Sequence, residues 1–179
     1  MDERVDNMLE LLKSRRSIRK YKDTPIEKDV LEKILKCALI APSSKNKKPV
    51  EIIVVNDKET IFELEKCKNM GTLGLKTAPT AIAIIANKEV SDVWVEDASI
   101  VTTIIQLEAE ALGLGSCWIQ MRERQSENGD SESDVRKVLD IPDNYGVLCV
   151  LSLGYKNEEK NPYNDSDFDL NKIHYNKFN

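Results

Sequence analysis

A run of basic residues near the amino end contains the side chains of this sequence that are best suited to hold an anionic ligand. Residues 13–22 include six lysines and arginines and no acid, although the formal net charge of the 179-residue chain is −5. The three arginines are Arg15, Arg16 and Arg19. They surround Ser17, and guanidinium groups beside a hydroxyl form a fork that fits a phosphate group. A solvated basic face is the alternative, but the three arginines favour an anion site.

A second polar segment has the sequence APSSKNKKP over residues 41–49. It offers two hydroxyls, an amide and three lysines at the point where a predicted helix ends and a predicted strand begins. Serine, asparagine, lysine and proline are also the residues of ordinary polar loops, and on its own this segment is best interpreted as such a loop. Only together with the basic run does it indicate a binding site.

Rare residues restrict the chemistry that this chain can perform. His174 is the only histidine, and no two of the four cysteines form a C-x-x-C pair. This scarcity argues against a zinc site and against a nucleophile activated by histidine. The nucleotide fingerprints G-x-G-x-x-G and G-x-x-x-x-G-K-[ST] are also absent from the sequence. We therefore expect a bound organic cofactor to perform any chemistry, and we expect the cysteines to be small buried apolar residues.

Periodic apolar residues predict the elements that must position these segments. Helices are predicted on the apolar spacing of Val5, Met8, Leu9 and Leu12, between Pro25 and Pro42, after a cap at Asp57, over residues 93–112 and up to Leu139. Strands are predicted over residues 50–55, 81–86, 116–121 and 145–153. The run 81–86 lacks polar alternation, which predicts a central strand covered on both faces. Gly113 is expected to end the long fourth helix.

Two further segments have less regular patterns. Residues 123–134 are polar and predict a surface loop or lid, in which Ser131 and Asp134 resemble a capping box for the next helix. The tail, residues 155–179, is polar but has apolar residues every few positions between Phe168 and Phe178. We expect the tail to dock, either on its own chain or on a partner subunit.

Composition indicates one globular domain over residues 1–179. Hydrophobic residues make up 41% of the chain and charged residues 32%, which suits a single α/β or α+β unit. The apolar runs are far shorter than the roughly 20 residues of a membrane-spanning helix, and the amino end lacks the pattern of a secretory signal. We expect a cytoplasmic protein that binds neither membrane nor nucleic acid, because the chain is acidic and has no recognisable nucleic-acid module.

Taken together in order, the motifs resemble the FMN-dependent nitroreductase family over nearly the whole chain. The run R-R-S-I-R-K-Y of residues 15–21 resembles the phosphate-binding opening of that family, and residues 41–49 resemble its flavin loop. The motifs L-G-L-G-S-C-W-I-Q, I-P-D-N-Y and S-L-G-Y then follow in the same order. Each motif is weak alone, whereas the series is specific.

The resemblance implies an α+β fold of three layers, in which a central mixed, mainly antiparallel sheet is flanked by helices. It also implies a homodimer with FMN at the subunit interface. NADH or NADPH would reduce the flavin, which would pass electrons to a small-molecule acceptor such as a nitroaromatic or a quinone. The alternatives are a flavoprotein of the same fold with oxidase, dehalogenase or flavin-degrading activity, and a non-enzymatic flavin-binding protein.

The resemblance also assigns roles to individual residues. The phosphate and ribityl chain of FMN are assigned to Arg15, Arg16 and Ser17, and the polar edge of the flavin to Arg19. Across the subunit boundary the flavin would be lined by Pro42, Ser43, Ser44 and Asn46. The strand whose backbone approaches the middle of the ring system is matched by Trp118, Ile119 and Gln120. A basic phosphate ligand near the carboxyl end is matched by Lys160. No side chain is assigned as a nucleophile or a metal ligand.

Two residues of the flavin loop depart from the family pattern. The family usually has glutamine before the proline of this loop and an aromatic residue after it, where this chain has Lys48 and Val50. We expect the lysine to place positive charge near the pyrimidine end of the flavin, which would favour the anionic reduced form.

Overall fold

The computed structural model describes the backbone of residues 3–178 and the side chains of residues 8–178. In this part of the chain the helices are α1 (Glu3–Ser14), α2 (Lys28–Leu39), α3 (Lys58–Lys66), α4 (Trp94–Ala111) and α5 (Ser131–Val138). The strands are β1 (Val50–Val55), β2 (Thr80–Asn87), β3 (Leu114–Gln120), β4 (Gln125–Ser126), β5 (Gly129–Asp130) and β6 (Tyr145–Tyr155). The helices and strands predicted from apolar spacing are confirmed, but the side chain of Val5 lies outside the described residues.

Four strands form the central sheet in the order β1-β2-β6-β3. Each neighbouring pair is antiparallel. The predicted α+β fold, with a largely antiparallel sheet flanked by helices, is confirmed; its parallel component in the described chain is a single bridge between Ser17 and Ser116. Strand β2 lies between β1 and β6, as its unbroken apolar run predicts.

The sheet separates two helical layers. On one face, Ile82 and Ile84 of β2 join a core cluster with residues of α2 and α4. On the other face, Ala83 and Ile85 join a cluster with residues of α3 and α5. Because successive residues of a strand point to opposite faces, a strand covered by helices on both sides must be apolar throughout. Its composition therefore follows from the three-layer arrangement.

Helix α4 is the longest element and packs across the sheet and against α2. Its 18 residues span about 27 Å at the usual rise of an α-helix. The chain leaves it through Gly113, whose φ of +79° is a left-handed conformation that glycine adopts without steric cost. The predicted glycine end of the helix is confirmed. No helix in the described part of the chain is long and apolar enough to cross a membrane.

The segment of residues 123–134 is more ordered than the sequence predicts. Strands β4 and β5 form a small hairpin in it, and α5 starts directly afterwards. The predicted capping box is wrong, because the cap is Asp130, whose side chain accepts a hydrogen bond from the backbone N–H of Ser133. Ser131 is instead buried in the helix, and Asp134 accepts a hydrogen bond from the hydroxyl of Ser126. The hairpin turn sets the start of the helix one residue earlier than the sequence pattern indicates.

The first part of the tail contacts the end of α1. The backbone N–H of Tyr163 donates to the carbonyl of Lys13 at 2.9 Å, and the ammonium group of Lys13 lies 3.0 Å from a carboxylate oxygen of Asp165. The apolar residues beyond are between 44 and 91% exposed; they are Phe168, Leu170, Ile173, Tyr175 and Phe178. Most of the surface of these side chains is thus exposed in the described structure, and docking on a partner subunit stays a prediction.

The close approach of Gly115 in β3 to Ile18 gives a test of how the basic run is attached to the sheet. A Cβ atom at position 115 would lie 2.8 Å from Cβ and Cγ1 of Ile18 and 2.9 Å from its Cγ2. We expect Gly115→Ala to lower the free energy of unfolding by about 1–3 kcal/mol, because overpacking forces the two segments apart. The double variant Gly115→Ala/Ile18→Ala should lose less than the sum of the two single variants, since two of the three crowding atoms are then gone. Urea unfolding measures all four proteins, and strictly additive losses would contradict this contact.

Candidate functional site

The basic run is held against the outer edge of β3. After α1 the chain is extended, and Ser17 forms a parallel bridge with Ser116, in which the N–H of Ile18 donates to the carbonyl of Ser116 at 3.0 Å. Ile18 is buried and fills the space that Gly115 leaves open. At the far end Tyr21 is buried, and its hydroxyl lies 2.8 Å from that of Ser152. Hydrogen bonds and buried side chains thus hold the basic run at both ends and in its middle.

The extended backbone sends the three arginines in two directions. Side chains alternate along an extended segment, so that Arg15, Ser17 and Arg19 share one side. Burial raises the pKa of the Cys117 thiol, and the guanidinium groups of Arg19 and Arg15 are close enough to oppose that rise. These two arginines therefore converge on one place beside β3.

Arg16 points away from this place. Its guanidinium group stacks on the ring of Tyr163, with 4.5 Å to the ring centre, and donates a hydrogen bond to the carbonyl of Asn161. The structure therefore places Arg16 with the carboxyl-terminal tail and separates it from Arg15 and Ser17, with which the resemblance groups it. Adjacent residues of an extended segment cannot point to the same side.

Two further cations lie near the pair of arginines, and the sequence interpretation missed both. Lys68, just beyond α3, is half-buried, and burial together with nearby Arg124 lowers its pKa. Its charge also reaches the thiol of Cys117. Neither residue belongs to a motif, and only the tertiary packing of the segment after α3 against the hairpin brings them here, where the N–H of Asn69 donates to the carbonyl of Gln125.

The cations of this cluster, Arg15, Arg19 and Lys68, have no carboxylate within ion-pair distance among residues 8–178. Glu158 accepts a hydrogen bond from the backbone N–H of Arg19 and pairs with Lys160 at 3.1 Å. These partners, the Arg19 N–H foremost, lower the pKa of Glu158. Like-charged groups held together without a counter-charge attract an anion. We refer to these three residues as the cation cluster.

Lys160, the predicted carboxyl-terminal ligand, lies beside the basic run but is exposed. Its ammonium group is held by Glu158, which also holds the backbone of Arg19. The structure therefore brings Lys160 to the edge of the cation cluster through an intervening carboxylate. A phosphate near Arg15 would have to compete with that carboxylate for Lys160.

Cys117 lies at the centre of the cluster but is not set up as a nucleophile. Burial raises the pKa of its thiol, and this outweighs the opposing effects of Arg19 and Arg15. Burial likewise raises the pKa of Cys67 to about 11 and that of Cys149 to about 12. A thiol of raised pKa is protonated and unreactive at neutral pH. The prediction that the cysteines are small buried residues is confirmed for these three, whereas Cys37 is half-buried.

The next residues of β3 present their backbone at the edge of the sheet. Ile119 is buried in the layer of α3 and α5, while the indole N–H of Trp118 donates to the side-chain carbonyl of Gln120 at 2.8 Å on the opposite face. In the described chain no strand pairs with the outer edge of β3 beyond the bridge to Ser17. Unpaired N–H and C=O groups of an edge strand are available to a ligand. Because the carbonyl of Ser116 faces outward to Ile18, the backbone groups of Trp118 and Gln120 also face outward and can contact a ligand, whereas those of Ile119 face β6.

The second predicted segment forms a tight loop between α2 and β1. Ser44–Asn46 is a 3₁₀ turn, and the backbone N–H of Lys48 donates to the hydroxyl of Ser43 at 2.9 Å. Lys45, Asn46 and Lys48 have φ angles of 50°, 53° and 48°. A left-handed residue other than glycine costs roughly 1–2 kcal/mol. This loop is thus strained, and Pro42 and Asn46 are exposed on it.

A buried acid that the sequence interpretation missed holds the loop in place. Asp97, in the first turn of α4, accepts a hydrogen bond from the backbone N–H of Ser44 at 2.8 Å. Asp97 lies one turn before the buried residue Val101 on the same face of the helix. An acid on an otherwise apolar helical face was the signal that could have identified it.

The two departures from the family pattern lie at the end of this loop. Lys48 is exposed, and its ammonium group lies 3.4 Å from the carbonyl of Leu39 at the end of α2. Val50 is half-buried and packs on the core layer of α2 and α4. The expected effect of Lys48 on a flavin stays a prediction.

The two parts of the candidate site lie at opposite edges of the sheet. The basic run lies on β3, while the loop leads into β1, where the carbonyl of Pro49 accepts from the N–H of Asn87. Three strand spacings separate the edges in the order β1-β2-β6-β3, which amounts to about 14 Å. One chain therefore does not bring its cation cluster and its loop together around a small ligand.

The sequence of this chain matches a known protein family. The model of the nitroreductase family matches residues 12–73 and 64–155. A solved structure described as an FMN-dependent nitroreductase from Clostridium difficile R20291 is 54% identical with a TM-score of 0.93, and the match covers 96% of this chain and 100% of that one.

A second solved structure, a candidate NADH oxidase from Clostridium acetobutylicum, is 34% identical over 94% of this chain and 99% of its own, with a TM-score of 0.85. Among curated proteins, a candidate NADH dehydrogenase/NAD(P)H nitroreductase of Archaeoglobus fulgidus is 37% identical over 97% of this chain and 100% of its own length. The chain therefore belongs to the nitroreductase family, as the order of its motifs predicts.

Proposed function

We propose that this protein is an FMN-dependent oxidoreductase that passes electrons from NADH or NADPH through bound flavin to a small-molecule acceptor, such as a nitroaromatic or a quinone. The observation that carries the proposal is the cation cluster beside an unpaired strand edge. Its three cations lack carboxylate partners in the described chain, which fits a phosphate, and the free backbone of β3 fits the polar atoms of a planar ring. The relative from Clostridium difficile R20291, which is described as FMN-dependent, supports this choice of ligand.

The expected binding free energies indicate how much the phosphate and the ring system of the cofactor must each contribute. Charge-assisted hydrogen bonds contribute about 1.5–3 kcal/mol each, so that three of them to one phosphate give about 5–9 kcal/mol. Association costs an estimated 4–15 kcal/mol. Phosphate capture alone therefore cannot retain a dissociable cofactor, and burial of the ring system must contribute the remainder. The exposed groups of one chain do not form such an enclosure.

In this proposal a second copy of the chain supplies the residues that complete the enclosure of the flavin. The loop with Pro42, Ser44 and Asn46 lies at the sheet edge opposite to the cation cluster, so the loop of one protomer is expected to face the cluster of its partner. Residues of α1 and of the tail remain exposed on the single chain; they are Met8, Leu9, Leu12, Leu170 and Tyr175. Burial of such apolar surface drives association of subunits. We therefore expect a homodimer with the flavin at the interface.

The side chains of this protein bind and orient rather than react. Bound FMN supplies the acceptance and donation of hydride. Arg15 and Ser17 would bind the phosphate, and the backbone of residues 118–120 would orient the ring system. Arg19 and Lys68 would hold positive charge beside its polar edge. The protonated thiol of Cys117 takes no part in the chemistry.

The activity itself is tested with the purified protein supplied with FMN. We expect the protein to retain the flavin through gel filtration and to lose the flavin's visible absorption band when NADH or NADPH is added without oxygen. Addition of a quinone should restore the band, and steady-state oxidation of the nicotinamide should then follow. Retention of flavin that neither nicotinamide reduces would contradict the reductase function, and failure to retain any flavin would contradict the whole proposal.

Two neighbouring arginines provide a matched test of the phosphate site. Arg15→Ala should raise the dissociation constant of FMN by roughly 10- to 150-fold, the equivalent of one charge-assisted hydrogen bond. Arg16→Ala removes an arginine side chain at the next position. It should change the dissociation constant of FMN by less than about threefold, because Arg16 is bound to the tail. Titration of the apoprotein with FMN, followed by the quenching of flavin fluorescence, measures both. Equal losses in the two variants would contradict the separation of Arg15 from Arg16.

Mixed dimers test whether the site is shared between subunits. Arg15→Ala and Asn46→Ala each damage one half of the site, and each variant alone should bind FMN weakly. Heterodimers of the two variants contain one intact site if Arg15 and Asn46 of different chains meet at one flavin. Unfolding and refolding of the two variants together should therefore recover tight binding in part of the sites. No recovery, with heterodimers demonstrated by differently tagged chains, would show that each site lies within one chain.

A further inference from the structure

Asp97 is a buried acid to which the proposed function gives no role. It is only 3% exposed. One of its carboxylate oxygens accepts the N–H of Ser44 at 2.8 Å, and the other accepts the hydroxyl of Ser91 at 3.2 Å. No lysine or arginine of the described side chains pairs with it. A buried carboxylate without a cation is costly, so the two hydrogen bonds and the positive end of the α4 dipole must stabilise its charge.

The loop that Asp97 contacts requires contacts with the rest of the chain to keep its conformation. Three of its residues other than glycine, Lys45, Asn46 and Lys48, are left-handed. Its internal hydrogen bonds run from the N–H groups of Asn46 and Lys47 to the carbonyls of Ser43 and Ser44, and from the N–H of Lys48 to the hydroxyl of Ser43. The exposed ammonium group of Lys48 joins the end of the loop to the carbonyl of Leu39 at 3.4 Å. The buried bond from Ser44 to Asp97 joins the middle of the loop to α4.

The first turn of α4 is itself fixed. The N–H of Asp97 donates to the carbonyl of Val93 at 3.1 Å, and the side chain reaches Ser91 in the connection from β2. Asp97 thus joins the loop to the connection that follows β2 and to the longest helix. A carboxylate has two acceptor oxygens with fixed spacing, and here each oxygen serves a different segment.

We propose that Asp97 is a positioning residue for the cofactor: it holds the Ser43–Lys48 backbone so that the hydroxyl of Ser44 and the amide of Asn46 face the flavin of the partner subunit. The proposal rests on the function proposed above. Asp97 does not touch the cofactor in this account and acts only through the N–H of Ser44. Without that acceptor the N–H of Ser44 turns to water, and the left-handed residues relax to ordinary backbone angles.

Three substitutions distinguish the effect of the Asp97 hydrogen bond on FMN binding from the effect of its charge and from a general loss of stability. Asp97→Leu keeps the branched outline of the side chain, with larger methyl groups in place of the two oxygens, and has no acceptor. Asp97→Asn keeps an oxygen for the N–H of Ser44 and offers an N–H₂ group to the hydroxyl of Ser91, so that both contacts persist without the charge. The control Glu96→Ala removes the neighbouring exposed acid of the same helical turn, which does not contact the loop.

The dissociation constant of FMN is the main readout, with the thermal midpoint and dimeric state of each apoprotein measured beside it. We expect Asp97→Leu to raise the dissociation constant about tenfold or more, while Asp97→Asn and Glu96→Ala stay within about threefold of the parent. Visible circular dichroism of the flavin, recorded at saturating FMN, should change in Asp97→Leu and not in Asp97→Asn. A merely structural acid would lower the thermal midpoint without altering that spectrum.

A second pair of variants approaches the same bond from the loop, in case Asp97→Leu does not fold. Ser44→Pro removes the N–H that donates to Asp97. Proline fits the backbone at this position, because Ser44 is the first residue of a 3₁₀ turn and follows an extended residue, Ser43 (φ −143°, ψ 159°). Ser44→Ala removes only the hydroxyl and keeps the N–H. We expect Ser44→Pro to bind FMN about tenfold more weakly than Ser44→Ala.

The outcomes distinguish this proposal from the function on which it rests. Unchanged FMN binding in Asp97→Leu, or equal binding by Ser44→Pro and Ser44→Ala, overturns the positioning role while the flavoprotein function stands. A loss in Asp97→Leu that Asp97→Asn shares in full also overturns it, because the charge and not the hydrogen bond would then be the cause. Failure of the parent protein to bind FMN at all overturns both.

Discussion

The attachment of the basic run to the outer edge of β3 is the constraint on which the candidate site depends. One parallel bridge, between Ser17 and Ser116, and the burial of Ile18 against Gly115 fix the direction of every side chain in the run. That direction gathers Arg15 and Arg19 on one side, where Lys68 joins them from the segment after α3. Cations gathered in this way repel one another unless an anion lies between them. The site is therefore built for a negatively charged ligand before any ligand is considered.

The width of the sheet explains why such a small protein would work as a pair. A four-stranded sheet with β1 and β3 at its edges separates the cation cluster from the loop that the sequence motifs group with it. Pairing two copies brings opposite edges together without any additional chain, and a symmetric dimer forms two equal sites. In the proposed dimer the strained loop, held by Asp97, would be a preformed wall of the site that need not become ordered when the ligand binds.

Much of the fold could be predicted from the sequence, because its signals are local. The unbroken apolar run of β2 predicts a central strand, and Gly113 predicts the end of α4. The start of α5 could not be predicted as well, because Asp130 and Ser131 are both good capping residues and only the hairpin turn decides between them. For the candidate site, motif order grouped Arg15 and Arg16 in one role, but motif membership could not tell that these neighbouring side chains diverge. Lys68 and Asp97 act through tertiary contacts that no local pattern encodes.

A crystal structure of the dimer with FMN tests the central claim most directly. The account predicts that the phosphate lies within hydrogen-bonding distance of Arg15 and Ser17 of one protomer, while the ring system contacts the backbone of residues 118–120 and the loop containing Ser44 from the other protomer. A phosphate bound away from Arg15, or a flavin enclosed by a single chain, would contradict it.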